Sequence, residues 1–197
     1  MRKVIVNEFM TLDGVIQAPG GADEDRDGGF EHGGWQTPLL DDMAQNSIVE
    51  GMAEAGGFLL GRKTYEIFAG YWPTAPEEEA AVADPLNSLP KYVASTTLTD
   101  PLAWHNSTVL RGDVAQAVAG LKGESGKDLH VIGSGELVQT LMQHDLVDEY
   151  RLMINPILVG SGKRLFRGEN DRKMLRLADS TISSTGVVIA RYGMADG

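Results

Sequence analysis

Twice in this chain a short apolar run breaks on glycine and passes directly into a helical pattern. The two stretches are "FLLGRKTYEIF" (58–68) and "LHVIGSGELVQTLM" (129–142). A buried strand that ends on glycine and opens a helix is the building unit of an α/β sheet. In open sheets of this kind, ligands bind outside the carboxyl ends of the strands. The first junction also places Arg62, Lys63 and Thr64 in the opening turn of its helix. That end of a helix already carries partial positive charge, so two cations there oppose stability unless an anion answers them.

The remaining segments extend the same pattern. "KVIVNEF" (3–9) reads as a β-branched strand, closed by the turn signal Asp13-Gly14. Residues 18–36 form a long loop rich in Gly and Asp that carries Phe30 and Trp35. Aromatics in such a loop either pin it to the body or line a pocket. From Pro38 to Ala55, Leu39, Leu40, Met43, Ile48 and Met52 recur at helical spacing, and Gly56-Gly57 stops the run. A surface helix and loop follow at 74–90, then strands at 91–96 and 107–112. A helix over 113–123 starts on Asp113 as its cap, and another spans 135–144. Beyond it the texture changes to strands at 148–160, 173–182 and 186–192, with no long helix between them. The expected fold is one α/β domain over residues 1–197, a mostly parallel mixed sheet with antiparallel strands at its C-terminal edge.

Charge narrows the function classes. Seventeen basic and 28 acidic residues give a formal net charge of −11. That field disfavours nucleic acid and anionic membrane as main partners, so any phosphate must be held by a local basic cluster. Cysteine is absent, and the four histidines are scattered, which leaves no metal-site spacing. The apolar N-terminal stretch is interrupted by Asn7, Glu8 and Asp13, so it reads as neither signal peptide nor membrane span. The expected location is the cytoplasm.

Two phosphate motifs are approached and missed. "LVGSGKR" has Ile157 where a P-loop needs its first glycine and Arg164 where it needs Ser or Thr. Gly133-Ser134-Gly135 begins like a dinucleotide fingerprint, but Val138 stands at the third glycine. The physics outlasts the motif, because small residues let a backbone approach a pyrophosphate at a helix start. Ser95, Thr96 and Thr97 end a third strand with hydroxyls. One dinucleotide spans all three strand ends in this reading. Its pyrophosphate lies on the glycine turn and residues 62–64, its adenosine and ribose phosphate on Ser95, Thr96 and Lys63.

The order strand, G-R-x-T-[YW]-E, hydroxyl-ended strand, V-I-G-[GS]-G and helix resembles that of dihydrofolate reductases. The stretches "FMTLDGVI" and "ELVQTLMQHDLVDEYRLMINPILVGSGKRLF" resemble the reductase domain of bifunctional riboflavin-biosynthesis proteins (RibD). The chain is similar to a stand-alone member of that C-terminal reductase family. The resemblance implies a three-layer dihydrofolate reductase-like fold with helices on both sheet faces. It implies an NADPH-dependent reductase that transfers hydride to a C=N or C=O of a small heterocyclic or carbonyl substrate, and a homodimer. Carried onto this sequence, the cofactor residues are Gly61, Arg62, Lys63, Thr64, Ser95, Thr96, Gly133, Ser134 and Gly135. The substrate side departs from the folate pattern. Counting back from Gly61 to the usual carboxylate reaches Gln45, with Asp41, Asp42 and Glu50 nearby. Asp13 is the candidate catalytic acid, with a turn-forming role as the competing reading. Phe30, Trp35, Asp42 and Gln45 are the candidate pocket residues. A non-catalytic nucleotide-binding protein is the alternative function.

Overall fold

The structure is a computed structural model that describes residues 1–167 and 172–195. In chain order the elements are β1 (Val4–Thr11), α1 (Asp42–Glu54), β2 (Gly57–Gly61), α2 (Arg62–Tyr71), α3 (Ala80–Ser88), β3 (Lys91–Ala94) and β4 (Ser107–Leu110). They continue with α4 (Val114–Gly123), β5 (Leu129–Ile132), α5 (Gly135–Gln143), β6 (Glu149–Asn155), β7 (Leu175–Ile182) and β8 (Val188–Met194). All eight strands form one sheet in the order β4-β3-β2-β5-β1-β6-β8-β7. The first six run parallel, while β8 runs antiparallel to both of its neighbours, β6 and β7. This is the mostly parallel dihydrofolate reductase-like architecture that the sequence implied.

Helices cover both faces, which is why the central strands are apolar without alternation. On β2, Leu59 joins Val4, Val6, Val131 and the α5 residues Val138 and Leu141 in one core. Its neighbours Phe58 and Leu60 turn to a second core with Met52 of α1, Tyr65 of α2 and Leu86 of α3. Like Glu8 on β1 and His130 on β5, Lys91 at the head of β3 breaks this pattern. It is fully buried, with its Nζ donating to the carbonyls of Leu86 at 2.7 Å and Leu89 at 3.0 Å and lying 4.4 Å from the Trp104 ring centroid. These are carbonyls at and just beyond the end of α3, so Lys91 acts as an internal C-terminal cap.

Several boundaries shift from the sequence reading. The first helix begins at Asp42, because Pro38 sits in a separate 3-10 turn over Thr37–Leu39. Asp41 sets the start by accepting the Ala44 N–H at 3.0 Å. Its other oxygen takes the Ser184 N–H and hydroxyl at 2.7 and 2.6 Å, tying α1 to the turn between β7 and β8. The Ser184 hydroxyl, then the Ala44 amide, lower the Asp41 pKa to about 2. Asp113 caps α4 as expected, through Gln116 N. Strand β3 stops at Ala94, leaving Ser95 and Thr96 in the turn beyond it. The strand expected to reach residue 160 ends at Asn155, one residue before Pro156.

Candidate functional site

In sheet order β3, β2 and β5 are consecutive and parallel, so their carboxyl ends lie side by side. The three phosphate-binding candidates of the sequence are therefore neighbours. Ser134 stitches two of them together: its hydroxyl accepts the Gly61 N–H at 2.9 Å and donates to the Ile132 carbonyl at 3.1 Å. Gly133 adopts φ +57°, and a Cβ there would stand 3.3 Å from Thr64 Oγ1. Glycine at this position lets the β5 turn close on Thr64. Gly135 is small for a different reason, since its Cβ would meet Ile16 Cδ1 at 2.9 Å. Whereas Asp side chains cap α1 and α4, neither α2 nor α5 has a side-chain cap, so their first-turn amides face the shared edge.

The cations at this edge have protein partners. Arg62 pairs with Glu66 one turn along α2 at 2.8 Å. Lys63 Nζ lies 3.1 Å from Asp27 and 3.9 Å from Asp25, both in the long loop. Lys163 joins the same two carboxylates at 2.7 and 2.8 Å. Lys163 and then Lys63 lower the Asp27 pKa to about 2. The loop's acidity thus answers two lysines from separate parts of the chain. Ser95 Oγ, beside these groups, accepts the Thr97 and Leu98 N–H groups and shapes the turn.

A groove of about 510 Å³ runs between α1 and the sheet, within the range of small-molecule sites. Its helical wall includes Met43, Asn46, Ser47, Glu50, Gly51 and Glu54, and its floor includes Asn7, Phe9, His130, Ile132, Arg151 and Met153. Ile132, the last residue of β5, also leads directly into the glycine turn. The groove and the edge formed by the three strand ends therefore meet at one strand end. Asn7 Nδ2 lies 3.2 Å from His130 Nδ1, and Arg151 pairs with Glu54 at 2.6 Å and with Glu149 at 2.7 Å. Burial, followed by the charge of Arg151, pushes the His130 pKa down to about 4, so the ring is neutral at neutral pH. Two of its residues, Glu8 and His130, hold buried side-chain atoms without a partner, Oε1 and Nε2. Strand alternation turns Glu8 to the opposite face, with Val4 and Val6. Burial raises its pKa well above the ordinary carboxylate value.

A family model for the RibD C-terminal domain matches residues 2–189. The chain belongs to the RibD C-terminal domain family. It is 29% identical over 197 residues to the uncharacterised protein YyaP of Bacillus subtilis, covering 97% of this chain and 94% of that one. A second B. subtilis protein, the uncharacterised YwjB, is 29% identical over 119 residues, 60% of this chain and 63% of its own. Among solved structures, a Shewanella sp. PV-4 protein named for riboflavin biosynthesis superposes with a TM-score of 0.71 at 22% identity, covering 98% of this chain and 99% of that one. A pyrimidine reductase-like protein of Corynebacterium diphtheriae gives 0.64 at 12% identity, covering 100% and 93%.

Within this RibD-type domain, the substrate-side candidates from sequence fall elsewhere. Asp42 and Gln45 are exposed and are not among the groove residues, which occupy positions 43, 46, 47, 48, 50, 51, 52 and 54 of the helix. Phe30 and Trp35 are buried with Val15 and Ala18 in a small core of their own. Trp35 Nε1 donates to the Gln17 carbonyl at 2.8 Å, so the ring pins the loop. Phe30 also lines a second recess, with Lys163 and Arg167. Asp13 is a clamp and not a free acid. It accepts from the Thr11 hydroxyl at 2.6 Å, from the Gly160 and Val159 amides, and from Arg164. The Thr11 hydroxyl first, with those amides, holds its carboxyl far below the ordinary range. The polar groove-floor residues that the sequence reading did not single out as site candidates are Asn7, His130 and Arg151. The available signal was the polar Asn7-Glu8 pair inside an otherwise apolar first strand.

Proposed function

We propose that this chain is an NADPH-dependent reductase of a small, ring-containing substrate. The observation that carries the reading is the meeting of two features at the end of β5. The α1 groove ends on Ile132, and the next residues are the glycine turn packed on Thr64. The residues present fit a dinucleotide. The Gly133 turn is a tight cradle against Thr64, two uncapped helix starts offer amides, and Arg62 and Lys63 supply the only cations of the α2 first turn. Gly61, Thr64, Gly133, Ser134 and Gly135 would hold the pyrophosphate, and Ser95, Thr96, Arg62 and Lys63 the ribose phosphate. When bound, the nicotinamide supplies a hydride. The groove's part is to hold the acceptor ring flat against the sheet and to keep water from it. The relative named as pyrimidine reductase-like and the one named for riboflavin biosynthesis support a heterocyclic substrate for this chain.

Binding calorimetry with NADPH and NADH at two salt concentrations tests this. The expected result is micromolar NADPH binding that weakens with salt, with NADH much weaker. Replacing Arg62 and Lys63 by Ala should weaken NADPH more than NADH. Absence of binding to either nucleotide removes the reductase reading. Tight binding without turnover on any carbonyl or imine substrate favours a nucleotide-binding protein instead.

A further inference from the structure

The tip of the long loop is built from its own side of the molecule. Gln17, 4% exposed, donates from Nε2 to the carbonyls of Asp25 at 3.1 Å and Asp27 at 3.0 Å, and its Oε1 accepts the Lys163 N–H at 3.0 Å. Nearer the base, the Glu24 carboxylate accepts the Gly20 and Gly21 N–H groups at 2.7 and 3.1 Å. A Cβ on Gly33 would stand 2.5 Å from the Ala22 carbonyl oxygen, so the two arms of the loop lie closely packed. Lys163 neutralises the tip from this same side, reaching Asp25 Oδ2 at 2.7 Å and Asp27 Oδ2 at 2.8 Å. The loop therefore holds its shape without help from α2.

Asp27 has a second oxygen, and that one faces α2. Its Oδ1 lies 3.1 Å from Lys63 Nζ, with Asp25 Oδ1 farther off at 3.9 Å. Among the described residues, Lys63 carries every ion pair between the loop and α2, since Arg62 is held by Glu66 on its own helix. The side chains of Lys63 and Asp27 are 45% and 51% exposed, and an ion pair so open to water contributes little. Breaking it leaves Asp27 bound to Lys163 and its carbonyl bound to Gln17. Lys63 can thus turn to another anion without the loop opening. A phosphate arriving there meets Asp27 twice over, as a rival for the ammonium and as a like charge beside it.

We propose that Asp27 is a built-in counter-ion that competes with the ligand's ribose phosphate for Lys63, so that this one loop carboxylate sets how strongly the site prefers a 2′-phosphorylated dinucleotide to its unphosphorylated form. This rests on Lys63 lying in the cofactor site of the proposed reductase. Binding transfers Lys63 from Asp27 to the phosphate, while Lys163 keeps Asp25 and Asp27 in place. Only ion pairs are exchanged, and no covalent bond changes.

The probes are 2′,5′-ADP and 5′-AMP, which differ by the 2′-phosphate, titrated calorimetrically into the whole protein alongside NADPH. Asp27→Asn should tighten 2′,5′-ADP about fivefold, the most that a half-exposed ion pair gives, and leave 5′-AMP unchanged within about twofold. The same substitution should lower the thermal midpoint, because Lys163 loses one of its two carboxylates. Tighter binding by a less stable protein is a combination that a purely structural ion pair does not give. Asp23→Asn removes the same charge from the same loop, but Asp23 pairs with Arg26, so neither probe should respond. In a Lys63→Met background Asp27→Asn should no longer change affinity, since the competition has lost its object. An equal gain for both probes, a gain repeated in Asp23→Asn, or a gain that persists without Lys63 would make Asp27 part of the general negative field and overturn the proposal. If NADPH and 2′,5′-ADP bind but Asp27→Asn alters neither, the counter-ion alone falls and the reductase reading stands. If neither binds to the wild type or to Asp27→Asn, both fall.

Discussion

The environment of His130 fixes both the sign and the size of a pH effect on folding. The ring is 1% exposed, and burial, then Arg151, depresses its pKa to about 4 from the ordinary imidazole value of 6.5. In the unfolded chain the imidazole regains its ordinary value, so between these limits the unfolded state binds the extra proton. The contribution is fully present above about pH 6.5 and is lost progressively as pH falls towards about 4. Each pH unit inside that window is worth about 1.4 kcal/mol, so the whole shift amounts to about 3 kcal/mol. The mechanism is local as well as dielectric. Protonation places a second N–H on Nδ1, where it meets the Asn7 Nδ2 donor at 3.2 Å. Urea unfolding of the wild type and of His130→Gln across this range isolates the effect, because other titrating groups cancel in the difference. Between about pH 6.5 and 5 the wild type should lose about 2 kcal/mol more than the variant. Parallel stability curves for the two proteins would refute the reasoning.

Two further outcomes follow from buried charge. Glu8 has a raised pKa, so its contribution is favourable below the ordinary carboxylate range and declines as pH rises above it. Glu8→Gln should therefore stabilise the protein at pH 7–8 in urea titrations, with the gain shrinking towards pH 4; a gain independent of pH would contradict this. Lys91→Met leaves the buried Leu86 and Leu89 carbonyls without their donor. It should cost about 2 kcal/mol in urea unfolding, and an unchanged midpoint would show that the cap is dispensable.

The strand-to-helix junctions were legible because their chemistry is local: glycine, cations and a hydroxyl lie within four residues at 61–64, and two glycines flank a hydroxyl at 133–135. The groove was not, because its wall depends on the rotation of α1. Counting back from Gly61 reaches Gln45, whereas the face that α1 turns to the groove carries Asn46, Glu50 and Gly51. What holds Asp41 is Ser184, 143 residues away, and no reading of a local window contains that contact. Phe30 and Trp35 carried two meanings until Val15 and Ala18 were found beneath them. Asp13 looked like an acid facing a pocket because the amides of Val159 and Gly160, which hold it ionised, come from the far end of the chain.

Ser134 adopts φ +63°, a left-handed conformation that a residue with a side chain rarely takes without compensation. Its compensation is the pair of bonds to Gly61 and Ile132, made entirely within the protein. The spacing of the two turns is therefore set during folding, and their ordering entropy is lost before any ligand arrives. Affinity at this edge then depends on the stability of the fold as well as on ligand contacts. Removing the Ser134 hydroxyl would leave the other candidate cofactor side chains in place, yet transfer the ordering cost to the moment of binding.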